Sequence, residues 1–389
     1  MLKNNNSPVL CVVGARPNFM KIAPIMSALG ARPNPVPARL LHTGQHYDAH
    51  MKDAFFSQLG IPAPDVDLEV GSSSHAVQTA EIMKRFEPVL DAERPAAVLV
   101  VGDVNSTIAC ALVAAKKGVP VIHVEAGLRS FDRTMPEEIN RVLTDQISDL
   151  LFITERGAQD NLLREGIEAR RIHFVGNVMI DTLLSHLPQA VPAAHTFARA
   201  PDPAVFQKNQ SGYALITLHR PSNVDDPDVL GRLLKTLRRI SQELPVVFPV
   251  HPRTAARIVN AGLEDVLDTP RILRLPPLAY LEMLGLMAKA RIVLTDSGGI
   301  QEETTALGVP CITLRENTER PITVEQGTNT VTGVDPARID AAVEDVLTTG
   351  GKAGRVPELW DGKAAQRIKS VLQEWLVRDQ PRLGAANPA

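Results

Sequence analysis

Short runs of β-branched and aliphatic residues alternate along the chain with longer amphipathic stretches. In the first half the runs are VLCVVGA, ARLLHTG, AAVLVVG, VPVIHVEAG, LLFIT and IHFVG. In the second half they are YALITLH, PVVFPVH, RILRL, RIVLTD and VPCITL. None shows clean polar alternation, as expected of parallel strands covered by helices on both faces. The stretches between them carry helical spacing. FMKIAPIMSALG and NSTIACALVAAKKG are two examples, and Leu230, Leu233, Leu234 and Leu237 fall at i, i+3, i+4, i+7. Strand–helix alternation of this kind predicts βαβ units and parallel sheets.

The pattern changes at PQAVPAAHTFARAPDP, Pro188 to Pro203, which reads as a linker or inserted surface. Gly176-Asn177, just before it, marks the expected end of a first domain. The expected organisation is a Rossmann-like domain over 1–176, a second over 177–364, and a terminal segment over 365–389. That segment places Ile368, Val371, Leu372, Trp375 and Leu376 on one helical face. Such a face suits a helix that packs back across a domain boundary, followed by a fraying tail.

Composition narrows the class. The chain has 389 residues, 44% apolar and 22% charged, which is ordinary for a globular enzyme. The net charge of −3 gives no general attraction to nucleic acid or anionic membrane, so neither is an expected partner. No apolar run approaches the ~18 residues of a membrane span, and MLKNNNSP leads directly into a short strand rather than a signal peptide. Cys11, Cys110 and Cys311 lack zinc-type spacing and read as free thiols of a reducing compartment. A cytoplasmic location is expected, with no metal and no cofactor.

Candidate chemistry collects at strand ends. Asp103 follows AAVLVVG, Glu125 ends VIHVE, and Glu137 lies in TMPEEINR. Carboxylates at the carboxyl ends of parallel strands point into the crevice where open α/β sheets bind ligands. Three together repel unless a cation, or a developing cation, lies between them. Each also has a plain reading. Asp103 suits a helix cap near Asn105. Thr134-Met135-Pro136-Glu137 fits a capping box. Glu137 and Arg141 are i, i+4 neighbours.

The first strand ends in GARPNFMK, without a GxGxxG fingerprint, which argues against a dinucleotide. Arg16 and Lys21 instead bring positive charge to a helix start, which suits a phosphate or is simply two solvated cations near a turn. In the second half RIVLTD leads into Ser297-Gly298-Gly299, and Glu303 follows one helical turn later. The glycines allow close approach of a pyrophosphate, and Glu303 is suited to accept ribose hydroxyls. Arg320 lies beyond, in TERP. His219 and His251 end successive strands, with Arg220 beside the first. A histidine so placed can contact a leaving phosphate as donor or proton source, or serve only as a structural hydrogen-bonding group.

GARPNFMKIAP, TGQHYD, VGDVNST, HVEAGLRS, PEEINR, TLHRPSNVD, LTDSGGIQEE and TERP occur in this order over about residues 11–325. Together they resemble the non-hydrolysing UDP-N-acetylglucosamine 2-epimerase family. The resemblance implies a GT-B-type α/β fold, two Rossmann-like domains with parallel sheets facing a central cleft. It implies a homodimer that interconverts UDP-GlcNAc and UDP-ManNAc for cell-surface polysaccharide precursors. By position it makes Asp103, Glu125, Glu137 and His219 catalytic. Arg16, Lys21, Arg141, Ser297, Gly298, Gly299, Glu303 and Arg320 would hold the UDP-sugar. Gln45, His46, Gln78 and His251 would fall near a second, activating UDP-GlcNAc site. Two departures stand out: LHRPSN where the family commonly has THRREN, and ARPN where it commonly has ARPE. These leave open which amino sugar and which activator are used. The alternatives are a 2-epimerase for a modified UDP-amino sugar, a hydrolysing enzyme that releases ManNAc, a GT-B glycosyltransferase, and a UDP-sugar sensor without turnover.

Overall fold

All eleven apolar runs are strands. The structure is a computed structural model that describes residues 7–45, 56–209 and 211–378. It divides into two compact units. The described residues up to Leu184 form one together with those from Glu358 on, and Ser185–Pro357 form the other.

The first unit holds β1 (Val9–Val13), β2 (Ala38–His42), β3 (Val66–Asp67), β4 (Ala97–Val101), β5 (Val121–Ala126), β6 (Leu150–Ile153) and β7 (Ile172–Phe174). They form one parallel sheet in the order β3-β2-β1-β4-β5-β6-β7. The second holds β8 (Ala214–Thr217), β9 (Val246–Pro249), β10 (Ile272–Leu275), β11 (Ile292–Thr295), β12 (Cys311–Thr313) and β13 (Asn329–Val331). Its order is β10-β9-β8-β11-β12-β13, again all parallel. The α/β class with two parallel sheets is the one expected. Two strands are absent from the sequence reading, β3 and β13. They are two and three residues long and lie at sheet edges, too short for a hydrophobic period to register.

In both sheets the strand order reverses once, between β1 and β4 and between β8 and β11. Crevices open outside the carboxyl ends of strands at such switch points. The central strands are wholly buried, which explains their unbroken apolar runs. The helix Pro227–Glu243 turns Leu230, Leu233, Leu234 and Leu237 into the core of the second unit. Asp226 caps it by accepting from the N–H groups of Asp228 (2.8 Å) and Val229 (3.2 Å).

The stretch Pro188 to Pro203 is less loose than its composition implied. Val191 N–H donates to Leu281 O at 3.0 Å, and Phe197 is buried against Phe206 and Tyr213. All three cysteines are free and buried, and burial pushes the Cys11 and Cys311 thiols up to about 12. Among the described residues no helix is long and apolar enough to cross a membrane.

The C-terminal helix Ala364–Arg378 packs on the helix Arg16–Gly30 of the first unit, with Ile368 and Leu372 buried. Asp181 anchors its start, accepting from Ala364 N–H (3.1 Å) and Ala365 N–H (2.7 Å). Replacing Asp181 with Ala leaves these two amides without that acceptor. We expect a loss of about 1–2 kcal/mol, visible as a lower unfolding temperature, with Asp181→Asn nearer the parent. An unchanged unfolding temperature in Asp181→Ala would remove the cap from this account.

Candidate active site

In the first unit the candidate residues gather around the β1/β4 switch point and the neighbouring end of β5. The turn after β1 is fixed by Asn18. Its Oδ1 accepts from Gly14 N–H (3.0 Å) and Ala15 N–H (3.2 Å), and its Nδ2 donates to Val101 O on β4 (3.0 Å). The Asn of ARPN therefore ties the two switch-point strands together. Only glycine fits at 14, because a Cβ there would come within 2.0 Å of Ser106 Oγ.

Glu125 sits on an irregularity. The β5–β6 register shifts between Val124 and Ala126, and Glu125 has φ +73°, the left-handed region that non-glycine residues avoid. Such a bulge re-aims a side chain and recurs beside active sites. The carboxylate is 2% exposed, and Lys21 Nζ donates to its Oε1 at 2.6 Å. The structure thus sets Lys21, a candidate phosphate ligand, against a candidate catalytic acid.

Asp103 follows Gly102 at the end of β4 and is half-buried. It does not cap the next helix, whose N-cap is Val104. Instead it accepts from Arg141 Nη1. The buried Arg141 also donates through Nε (3.0 Å) and Nη2 (2.7 Å) to Glu138. Burial opposes ionisation of Glu138. Hydrogen bonds from Ser130 N–H, Arg141 and Phe131 N–H outweigh it and hold the carboxyl below its usual value. Glu138 thereby ties the loop after β5 to the helix Pro136–Ile147.

Glu137 is half-buried in the first turn of that helix. The capping box does not form: the N-cap is Met135, and Thr134 Oγ1 donates to Asp132 at 2.6 Å. Arg16, at the start of its helix, is half-buried. The acids are therefore not a bare cluster of like charge. Lys21 and Arg141 each already sit against one of them.

Behind this edge lies a buried network. His123 Nε2 faces Gly102 O at 2.8 Å and its Nδ1 faces Asp145 Oδ1 at 2.7 Å. Asp145 Oδ2 accepts from Gly127 N–H (3.0 Å) and pairs with Arg129 (2.7 Å). Burial opposes ionisation of Asp145, but His123 and Arg129 hold its carboxyl below the usual range. His123, two residues before Glu125, so reaches the residue that precedes Asp103.

Of the residues expected near an activating site, Gln45 and Gln78 are brought together. Gln45 Oε1 accepts from Ser106 N–H (3.1 Å) and Oγ (2.7 Å), and Gln78 Nε2 donates to Gln45 O (3.0 Å). His46 lies outside the described residues.

In the second unit the candidates lie at the β8/β11 switch point. His219 follows β8, and its Nδ1 is 2.9 Å from Asp296 Oδ1, at the end of β11. His251 caps the helix Pro252–Asn260, its Nδ1 accepting from Arg253 N–H at 3.2 Å. Its ring centroid is 5.8 Å from that of His219.

Ser297 is the N-cap of the helix Gly298–Leu307, so the free amides of that helix start at the two glycines. A Cβ on Gly298 would lie 2.6 Å from Glu319 Oε1, and Arg315 Nη2 pairs with Glu319 Oε2 at 2.8 Å. Arg320 Nε pairs with Glu302 Oε1 at 2.9 Å, both buried. Glu303 is buried and accepts from Tyr280 Oη at 2.9 Å. Burial, and secondarily the charge of Glu302, push its carboxyl up to about 8 against the opposing Tyr280 bond. Sequence reasoning missed Glu138, Tyr280, Arg315 and Glu319. Tyr280 lies on a separate helix with no local signal. Glu319 stands beside Arg320 in TERP and was within reach of the same motif argument.

Comparison with known proteins gives the family. Residues 29–373 match the family model described as UDP-N-acetylglucosamine 2-epimerase. The UDP-N-acetylglucosamine 2-epimerase of Methanocaldococcus jannaschii is 42% identical over 364 residues, 93% of this chain and 97% of that protein. The UDP-2,3-diacetamido-2,3-dideoxy-D-glucuronate 2-epimerase of Pseudomonas aeruginosa is also 42% identical, over 94% of this chain and 99% of that one. The crystal structure of the M. jannaschii enzyme in complex with UDP-GlcNAc and UDP superimposes with a TM-score of 0.84 at 41% identity, covering 94% of this chain and 99% of that one. The fold class is thus the α/β, GT-B-type one, and the chain belongs to the UDP-N-acetylglucosamine 2-epimerase family.

Proposed function

We propose that this chain interconverts UDP-GlcNAc and UDP-ManNAc by eliminating UDP and adding it back. The observation that supports this most is Glu125: a buried carboxylate on β5, turned by a bulge and held by Lys21, with Asp103 just beyond the end of the adjacent β4. The C2 hydrogen of a 2-acetamido sugar is not α to a carbonyl, so direct carbanion formation is prohibitive. Cleaving the C1–O bond sends the electron pair to UDP and leaves C1 oxocarbenium-like, which acidifies the C2 proton. Loss of that proton to a carboxylate gives 2-acetamidoglucal. Protonation of C2 from the other face, with return of UDP to C1, gives the epimer.

Asp103, Glu125 and Glu137 serve as the acid–base groups and stabilise positive charge at C1. Arg16, Lys21 and Arg141 stabilise the departing diphosphate, and His219 serves it as hydrogen-bond donor and proton source. Ser297, Gly298 and Gly299 receive it at a helix N-terminus, with Glu303 and Arg320 on the nucleoside side. His251, Gln45, His46 and Gln78 are assigned to a second UDP-GlcNAc site. The working form is a cytoplasmic homodimer. Exposed Phe131, Ile139 and Leu143, the first 72% exposed, offer apolar surface for such an interface.

Incubation with UDP-GlcNAc in D2O, followed by NMR, tests the reaction. UDP-ManNAc with deuterium at C2 is the expected product. Free ManNAc would indicate hydrolysis, transfer to an added acceptor a glycosyltransferase, and UDP binding without exchange a sensor. A second substrate has a specific observation behind it. The Pseudomonas relative acts, by its name, on a diacetamido uronate, and its identity to this chain equals that of the M. jannaschii UDP-N-acetylglucosamine 2-epimerase. Faster turnover of that sugar nucleotide than of UDP-GlcNAc would shift the assignment to it.

A further inference from the structure

Asp296 is the last residue of the run RIVLTD. In the structure it is fully buried and aimed back at the turn after β8. Its Oδ2 accepts from the main-chain N–H of His219 (2.9 Å) and of Arg220 (2.9 Å) and from Asn223 Nδ2 (3.2 Å). Its Oδ1 faces His219 Nδ1 at 2.9 Å. The two residues are brought together because β8 and β11 pair in register, Thr217 opposite Thr295, so the turns that follow emerge side by side.

Burial opposes ionisation of Asp296. His219, and the N–H groups of Arg220 and His219, outweigh it and keep the carboxyl below its usual range. An ionised carboxylate only accepts hydrogen bonds, so the His219 nitrogen that faces it must carry the proton. The side chain of His219 is 38% exposed, so the ring is not enclosed. The other groups around it are Arg220, next in the chain, and His251.

We propose that Asp296 is the positioning residue for His219. It holds the proton on Nδ1, so that Nε2 alone exchanges protons with the substrate, and it balances the charge when the ring is doubly protonated. A carboxylate that orients a histidine and fixes its tautomer is a recurring way to prepare an acid–base group. The proposal rests on the reading of His219 as a group of the epimerisation site.

The test is Asp296→Asn in the full chain. The amide oxygen still accepts from the main-chain N–H groups, so the turn keeps its anchor. The amide NH2 donates toward Nδ1, which moves the ring proton to Nε2. With 15N-labelled histidine, NMR of the parent is expected to show His219 as the Nδ1–H tautomer, and the variant as Nε2–H. The kcat is expected to fall at least about tenfold, part of the ~10²–10⁴ that such a group contributes, with UDP affinity and KM nearly unchanged. An Nε2–H tautomer in the parent, or an unaltered tautomer in the variant, overturns the proposal. So does a reversed tautomer with undiminished kcat. Rate and tautomer are read separately. A parent inactive on every UDP-sugar offered sinks the epimerase reading, while the NMR result still upholds or overturns the assignment of Asp296.

Discussion

Glu125→Gln is expected to bind UDP normally and to lose turnover. The loss in kcat should be ~10²–10⁴-fold, the usual contribution of one acid–base group. Gln keeps the size of the side chain and an oxygen that accepts from Lys21 Nζ, now at 2.6 Å from the carboxylate. The bulge and the turn after β1 therefore have no steric reason to rearrange. What changes is charge: a buried ammonium loses its counter-ion, so some stability goes with it. Steady-state kinetics alone cannot separate these effects. Calorimetric titration with UDP and exchange of the C2 hydrogen in D2O do. Unchanged turnover with greatly weakened UDP binding would move Glu125 from the acid–base chemistry to the nucleotide site.

The second large effect concerns Glu303 and pH. Its carboxyl, normally near 4.5, is pushed up to about 8 in the fold. Between these values the folded protein holds a proton that the unfolded chain has released. Stability from this group is fully present below about 4.5, declines as pH rises, and is gone above about 8. At about 1.4 kcal/mol per pH unit, the whole decline is at most about 5 kcal/mol. Glu303→Gln has no proton to lose. Its denaturant midpoint should lack this slope, and at alkaline pH it should exceed that of the parent. The difference between parent and variant isolates Glu303 from every other titrating group. Parallel curves across the window would show that the buried carboxyl does not titrate there. The same substitution removes the carboxyl that faces ribose hydroxyls in this reading, so the variant that is more stable at alkaline pH is also expected to hold UDP less well.

Much of the architecture was legible because both sheets are parallel and covered. Strands such as VLCVV and AVLVV are buried at every position, and no helical or alternating pattern competes with that reading. The edge strands β3 and β13 carried no such signal. The linker reading of Pro188 to Pro203 followed composition alone, while Phe197, a main-chain bond from Val191 and side-chain bonds from Thr196 and Arg199 to Glu282 hold it in place. At the site, residue types and strand ends could be read, but pairings could not. Lys21 and Glu125 are 104 residues apart, and Arg141 and Asp103 are 38 apart. Neither pair leaves a local trace. Glu138 was hidden by its neighbour: in PEEINR the first acid draws attention, and the second holds Arg141. Nor does anything in the sequence mark Glu125 for a left-handed backbone.

The burial of all three native thiols has a practical side. A thiol pushed up to about 12 presents almost no thiolate near neutral pH, and an enclosed one is out of reach of a bulky reagent. The chain is in effect cysteine-free toward labelling chemistry without any substitution. A single cysteine introduced on the surface of each unit could carry a fluorophore or spin label on its own. Distances between the units, with and without UDP, could then be followed in a protein whose own sulfur atoms stay silent.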